Sequence, residues 1–253
     1  MASSIRADIA LVERGLFESR AKARAAIEAG LVMADGVRVA KASQALAADA
    51  QVEASAPHPW VSRGGVKLVH ALDVFGFDPA GRLCLDIGAS TGGFTQVLLT
   101  RGAALVIAVD VGQGQLHPSV ASDPRVVSLE KTDARMLTHE MIEGATRGAG
   151  IDANAPRLIA CDVSFIALDK ILPPVLALAT PGSELVALIK PQFEAGVGRR
   201  KRGVIKDAGL HRQICDRILE LIQSLGWQVL GIEASPILGG DGNREFLIGA
   251  RRA

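Results

Sequence analysis

The residues able to do chemistry stand where short apolar runs stop. In LVALIKPQFEAG, residues 185–196, the five apolar residues Leu185 to Ile189 read as a strand buried on both faces. The run delivers Lys190 at its tip, with Pro191 next. Such a lysine is either a strand end that has reached solvent or a catalytic base or electrophile. LIACDVSFIAL places Asp162 at the end of another apolar run. Lys67 lies in VSRGGVKL just before the first strand of this set, and Glu245 in GDGNREFLIG opens the last. Singly, each fits an ordinary role: a solvated lysine, or a helix cap by Asp162 or Ser164. Together they can activate a hydroxyl, a poor nucleophile until its proton is removed. One lysine takes that proton or stabilises the developing alkoxide, the carboxylate orients it, and a second lysine offsets the carboxylate's pull.

A ligand loop precedes them. In LDIGASTGGFT, residues 85–95, a strand ends at Asp86, and Gly88, Ser90, Gly92 and Gly93 lead into a helix starting near Phe94. The spacing G-x-x-x-G-G differs from the G-x-G-x-x-G of dinucleotide folds. An acid ahead of the loop suits a ligand with an amino acid end, whose ammonium pairs with the carboxylate; it would repel a pyrophosphate. S-adenosylmethionine fits, and a purely structural strand–helix turn is the alternative. Asp110, followed by Val111, stands 24 positions after Asp86 at the end of VIAVD, where a carboxylate accepts both hydroxyls of a ribose. Asp133, followed by Ala134 in KTDARML, is placed either to bond an adenine amino group or as a plain loop aspartate. After Asp162 comes Val163-Ser164-Phe165, where enzymes acting on exocyclic amines carry Pro-Pro and an aromatic. An oxygen acceptor is the better fit.

The elements that must position these residues fall into two groups. From residue 82, RLCLDIGA, ALVIAVDVG, RVVSLEKTDA, RLIACDVSF, ELVALIK and WQVLGIEAS alternate with helical stretches such as 165–179 and 207–225. That alternation predicts a parallel doubly wound sheet. NREFLIGARR follows WQVLGIEAS through a loop alone, which predicts an antiparallel last strand. The expected fold is an α/β class I methyltransferase, Rossmann-like, with a seven-stranded, mostly parallel sheet. Ahead of it, Ser19 caps a helix closed by Gly30, and LVMADGVRVA reads as a hairpin with an Asp-Gly turn. Residues 1–55 thus form a small α/β module, 56–62 with Pro57 and Pro59 a linker, and 63–253 the catalytic domain.

Composition narrows the classes. A net charge of +1 over 253 residues leaves nucleic-acid binding to local patches. Cys84, Cys161 and Cys215 form no C-x-x-C pair, so neither a zinc site nor a disulfide framework is suggested, and no other ligand cluster implies a metal. No window reaches the ~18–20 apolar residues of a membrane helix. The amino terminus lacks a signal-peptide core. A cytoplasmic protein without membrane contact is expected.

The motifs RADIALVERGLFESRAKA, WVSRGGVKL, LDIGASTGGFT, CDVSFIAL, IKPQFEAG and GNREFL resemble the TlyA family of ribosomal RNA 2'-O-methyltransferases nearly end to end. The resemblance implies an FtsJ-type catalytic domain and an S4-like RNA-binding amino-terminal domain. It also implies a Lys67, Asp162, Lys190 and Glu245 tetrad, ribosomal subunits as partner and cytidine as the modified nucleotide. Some relatives carry hemolysin names; a membrane-active hemolysin or a non-catalytic ribosome-assembly factor are the rival readings. RNA contact is expected from Arg6, Arg14, Arg20, Lys22 and Arg24 in the small module, although interleaved acids fit a mixed-charge surface equally. A second contact is expected from Arg199, Arg200, Lys201 and Arg202 after Lys190. With 4% aromatic residues, extensive base stacking is not expected.

Overall fold

The structure is a computed structural model, and it describes residues 4–150, 155–195, 204–240 and 242–253. The chain divides into two compact units, Met1–Pro59 and Trp60–Ala253.

The small unit runs β1 (Ser4–Arg6), α1 (Ala7–Glu13), α2 (Arg20–Glu28), β2 (Val32–Ala34), β3 (Val37–Arg38), β4 (Ala45–Ala47) and β5 (Val52–Ala54). The Ser19 side chain accepts from the Lys22 amide and so starts α2. Asp35 and Gly36, at φ +50 and +74, form the left-handed pair that a two-residue hairpin needs between β2 and β3. Leu11, Ala23, Ala26 and Ile27 close the helices over Val32 and Leu46.

The large unit begins with α3 (Gly64–Phe75), then β6 (Leu83–Ile87), α4 (Gly93–Thr100), β7 (Leu105–Val109), α5 (Pro118–Ala121) and β8 (Val126–Leu129). It continues with α6 (His139–Gly148), β9 (Leu158–Cys161), α7 (Leu168–Ala177), β10 (Glu184–Ile189) and α8 (Pro191–Glu194). α9 (Ala208–Ser224), β11 (Trp227–Ala234) and β12 (Phe246–Arg252) complete it. One sheet orders these strands β11-β12-β10-β9-β6-β7-β8. β12 inserts antiparallel between β10 and β11; the neighbouring pairs from β10 to β8 are parallel.

β6, β7, β9 and β10 are buried along their whole lengths, which is why they read as continuous apolar runs. On one face Leu85, Ile107 and Ile159 pack with Ile142, Ile171 and Ile218 of α6, α7 and α9. On the other, Cys84, Val106 and Leu158 pack with Leu68, Leu72, Val97 and Leu98 of α3 and α4. Each such buried aliphatic side chain contributes about 1.5–3 kcal/mol. The three cysteines are buried and free, and burial pushes the Cys84 thiol up to about 12 and that of Cys215 to about 11. No helix among the described residues is long and apolar enough to cross a membrane.

This topology makes one edge special. The parallel strands end there, and the β10–β12 ladder pairs Ile189 with Phe246 as its last rung. Lys190 and Glu245 are the next residues outward on each strand, so the register sets them opposite one another.

Candidate active site

The four ionisable residues meet at that edge as two pairs. Lys67 reaches Glu245 from α3, with Nζ 2.5 Å from Oε2 and side chains only 9% and 2% exposed. Lys190 reaches the end of β9, with Nζ 2.5 Å from Asp162 Oδ1. Lys190 Nζ also donates to Ser164 Oγ at 2.9 Å. Lys67 stands on α3, the helix that precedes the first strand of the sheet. Its helix starts at two glycines with no side-chain cap, so the start signal is missing from the sequence. The Lys67–Glu245 pair is buried and the Lys190–Asp162 pair partly so, and such charge pairs are costly to desolvate. Asp162 lines a cavity, which gives its pair a use that packing alone would not.

Three contacts bind the loop after β9 to α8. The first is Lys190 with Asp162 and Ser164. The second is Phe165 against Phe193, with ring centroids 5.0 Å apart. The third is buried Glu194, whose Oε1 accepts from the Leu168 amide at 2.8 Å while Oε2 accepts from Arg217. The residue ahead of α7 is Ala167, which has no side chain to cap it. Glu194 supplies the missing cap from the neighbouring element, and burial pushes its carboxyl up from the ordinary value. Phe165 takes φ +67 and is 82% exposed. A bulky residue held in the left-handed region and turned to solvent is a strained feature of the kind found at functional sites.

A cavity of about 480 Å³ opens beyond the ends of β6, β7 and β9. Gly88, Ser90, Asp110, Val111, Asp133 and Ala134 line it, together with Asp162 to Phe165. Gly88 sits at φ +82, and a Cβ there would lie 2.5 Å from the Asp162 carbonyl oxygen, so only glycine lets these two loops approach. Gly92 caps α4 and Gly93 opens it, while Phe94 turns into the α3–α4 core and not to the cavity. Asp110 braces the loop, Oδ2 accepting from the Ser90 amide at 2.8 Å and Oδ1 from Gly112 at 2.7 Å. Each oxygen keeps a lone pair for a hydroxyl. Asp133 accepts from the Arg135 amide and guanidinium, which hold its carboxyl at about 2.

Asp86 lies behind the loop, fully buried. Oδ2 accepts from Thr95 Oγ1 at 2.6 Å, while Oδ1 has no hydrogen-bond partner among the described residues. Burial pushes this carboxyl up to about 7 against the Thr95 bond, and the charges of Asp162 and Asp110 push the same way. An orphaned carboxylate oxygen, a braced ribose acceptor and a cavity of cofactor size suit a ligand with an ammonium at one end and a nucleoside at the other.

In the small unit, the expected RNA-contacting residues separate. Arg14 donates to the carbonyls of Ala47, Ala48 and Ala50. Lys22 pairs with Glu18 at 2.5 Å. Arg6, Arg20 and Arg24 all turn to Asp8. Arg199, Arg200, Lys201 and Arg202 lie outside the described residues. Groups of acids, histidines and cysteines able to hold a metal ion do not occur among the described residues.

Residues 60–252, about three quarters of the chain, match the FtsJ-like methyltransferase family, and residues 5–52 match the S4 domain. The chain is 44% identical to the 16S/23S rRNA (cytidine-2'-O)-methyltransferase TlyA of Mycobacterium tuberculosis, over 99% of this chain and 91% of that protein. It is 38% identical to Hemolysin A of Brachyspira hyodysenteriae, over 96% of this chain and 98% of that protein. Among solved structures, a Streptococcus thermophilus protein described as a hemolysin superposes with a TM-score of 0.75 at 36% identity, covering 100% of this chain and 90% of that one. The chain thus belongs to the FtsJ-like methyltransferase family, as a TlyA-type member with an S4 domain ahead of its methyltransferase domain.

Proposed function

We propose that this chain methylates the ribose 2'-hydroxyl of a cytidine in ribosomal RNA, acting on ribosomal subunits in the cytoplasm. The observation that carries the reading is the pairing of Lys190 with Asp162 and of Lys67 with Glu245 at one sheet edge, beside the cavity that Gly88 and Asp110 line. The cytidine and the ribosomal RNA come from the name of the Mycobacterium tuberculosis relative.

S-adenosylmethionine, when bound, supplies an electrophilic methyl group on sulfur. Asp110 would hold its ribose hydroxyls, and Asp86 Oδ1 would face its ammonium. Lys190 Nζ, held by Asp162 and Ser164, would hydrogen-bond the 2'-oxygen and, as the neutral amine, take its proton, ending as the ammonium that Asp162 balances. Lys67 stays paired with Glu245 at the neighbouring strand end, so that pair adds no net charge to the site. Positioning of the acceptor supplies much of the rate gain in an in-line displacement. Phe165, exposed at the cavity wall, offers a face on which the base of the target nucleotide stacks once it leaves its helix.

Incubation of the full chain with methyl-labelled S-adenosylmethionine and unmodified ribosomal subunits tests this. Label should map to one or a few nucleotides whose ribose linkage resists alkali. Label on a base, or on no ribosomal RNA at all, would reject the proposal.

A further inference from the structure

The small unit spends its cations unequally, and the inequality is informative. Arg14 and Lys22 are committed to local ties, whereas three arginines converge on one carboxylate. Arg6 comes from the residue preceding α1, and Arg20 and Arg24 come from one face of α2. Arg6 Nε lies 3.0 Å from Asp8 Oδ1, while Arg20 Nη2 and Arg24 Nε lie 2.8 and 3.2 Å from Oδ2. Asp8 is fully buried, and the three guanidinium groups hold its carboxyl well below the usual carboxylate range.

A buried carboxylate needs one good cationic partner, and three exceed what burial of Asp8 requires. One negative charge against three positive ones leaves a surplus of two. The arginine side chains remain 43%, 52% and 50% exposed, so this surplus faces water. A guanidinium carries about five donors in a rigid fork, so contacts to a single carboxylate leave donors over on each. Long arginine side chains ordinarily lose rotamer freedom when they grip a ligand; here they are already fixed. Clustered forks with surplus positive charge match phosphate oxygens, and three in one place match phosphates brought close together.

We infer that Asp8 is a positioning residue that gathers Arg6, Arg20 and Arg24 into one preorganised site for converging phosphates of folded RNA. The inference rests on the ribosomal RNA reading above. A bend or crossing, where two backbone segments approach, presents such phosphates; a plain strand does not.

The test turns on sign. Asp8→Asn raises the net charge of the full chain by one, so a site governed by charge alone would bind ribosomal RNA more tightly. Preorganisation predicts the reverse: a loss of about tenfold or more, with the slope of log affinity against log salt falling by about one or two contacts. Thermal melting of the same protein reports whether the small unit still folds. Equal or tighter binding by folded Asp8→Asn overturns the inference. If that variant does not fold, the combined Arg6→Lys, Arg20→Lys and Arg24→Lys protein decides. It keeps the charge and the buried acid but loses the forks, and binding must fall about tenfold; unchanged binding overturns the inference. A wild-type chain that neither binds nor methylates ribosomal RNA would instead reject the reading beneath it.

Discussion

The charge cluster around Asp8 and the one at the sheet edge differ in arithmetic. Around Asp8, one acid holds three arginines that stay about half exposed. At the sheet edge, two acids hold two lysines, and the Lys67–Glu245 pair is almost wholly enclosed. The surplus in the first cluster faces solvent, where it can be met by an anionic partner. The balance in the second leaves no net charge on its four groups. A binding surface profits from excess; a catalytic crevice needs matched charges, whose individual groups then act on a substrate.

The largest effect expected on this contrast is catalytic. Replacing Lys190 by Met should lower methyl transfer by about 10²–10⁴-fold in single turnover. Ribosomal RNA binding should remain within about twofold, since the inferred phosphate site lies on Arg6, Arg20 and Arg24. Full transfer by this variant would break the assignment.

Next comes stability. Glu245→Ala leaves the Lys67 ammonium buried without its partner and should cost about 3–5 kcal/mol in denaturant melts. A combined Lys67→Met and Glu245→Leu protein should recover most of that stability and no activity. Arg20→Gln, by comparison, should cost about 1 kcal/mol or less, because Arg6 and Arg24 still serve Asp8 and the lost partner is half exposed.

The pH dependence follows from Asp86. Its carboxyl, raised by burial to about 7 from 3.8, keeps a proton in the folded chain that the unfolded chain has released. The stability from this group is therefore present below about pH 4 and lost as pH rises through 7. Apo-protein melting should fall across that window, and Asp86→Asn should flatten the fall. A cofactor ammonium favours the carboxylate, so S-adenosylmethionine affinity, read by calorimetry, should weaken as pH drops below about 7. An affinity independent of pH would remove Asp86 from cofactor contact.

A last effect on catalysis, smaller than that of Lys190, concerns Phe165. Loss of a stacked base is worth about 1–3 kcal/mol, so Phe165→Ala should lower kcat/KM for ribosomal RNA by roughly ten- to a hundredfold. Melting should change little, because Phe165 is 82% exposed and gives up only its contact with Phe193.

The sheet was legible because buried parallel strands leave continuous apolar runs: RLCLDIGA resolves to Leu83–Ile87 and ELVALIK to Glu184–Ile189. The Asp35-Gly36 hairpin was legible for a local reason, its demand for positive φ. What escaped were features made by distant partners. The α3 helix hid Lys67's setting because Gly64 and Gly65 open it without a cap. Glu194 showed no signal, since its task exists only because Ala167 cannot cap α7 across the fold. Asp8 looked like one acid among several, and only folding brings Arg20 and Arg24 onto it from 12 and 16 positions away. Periodicity reports burial within an element, whereas side-chain pairing between elements leaves no local trace.

The most direct measurement compares wild type and Lys190→Met on unmodified ribosomal subunits with methyl-labelled S-adenosylmethionine. Digestion of the RNA then locates the label. Alkali-resistant label on a ribose, present with wild type and lost with Lys190→Met while RNA binding persists, is the result predicted. Label on a base, or ribose label of equal yield from both proteins, would contradict it.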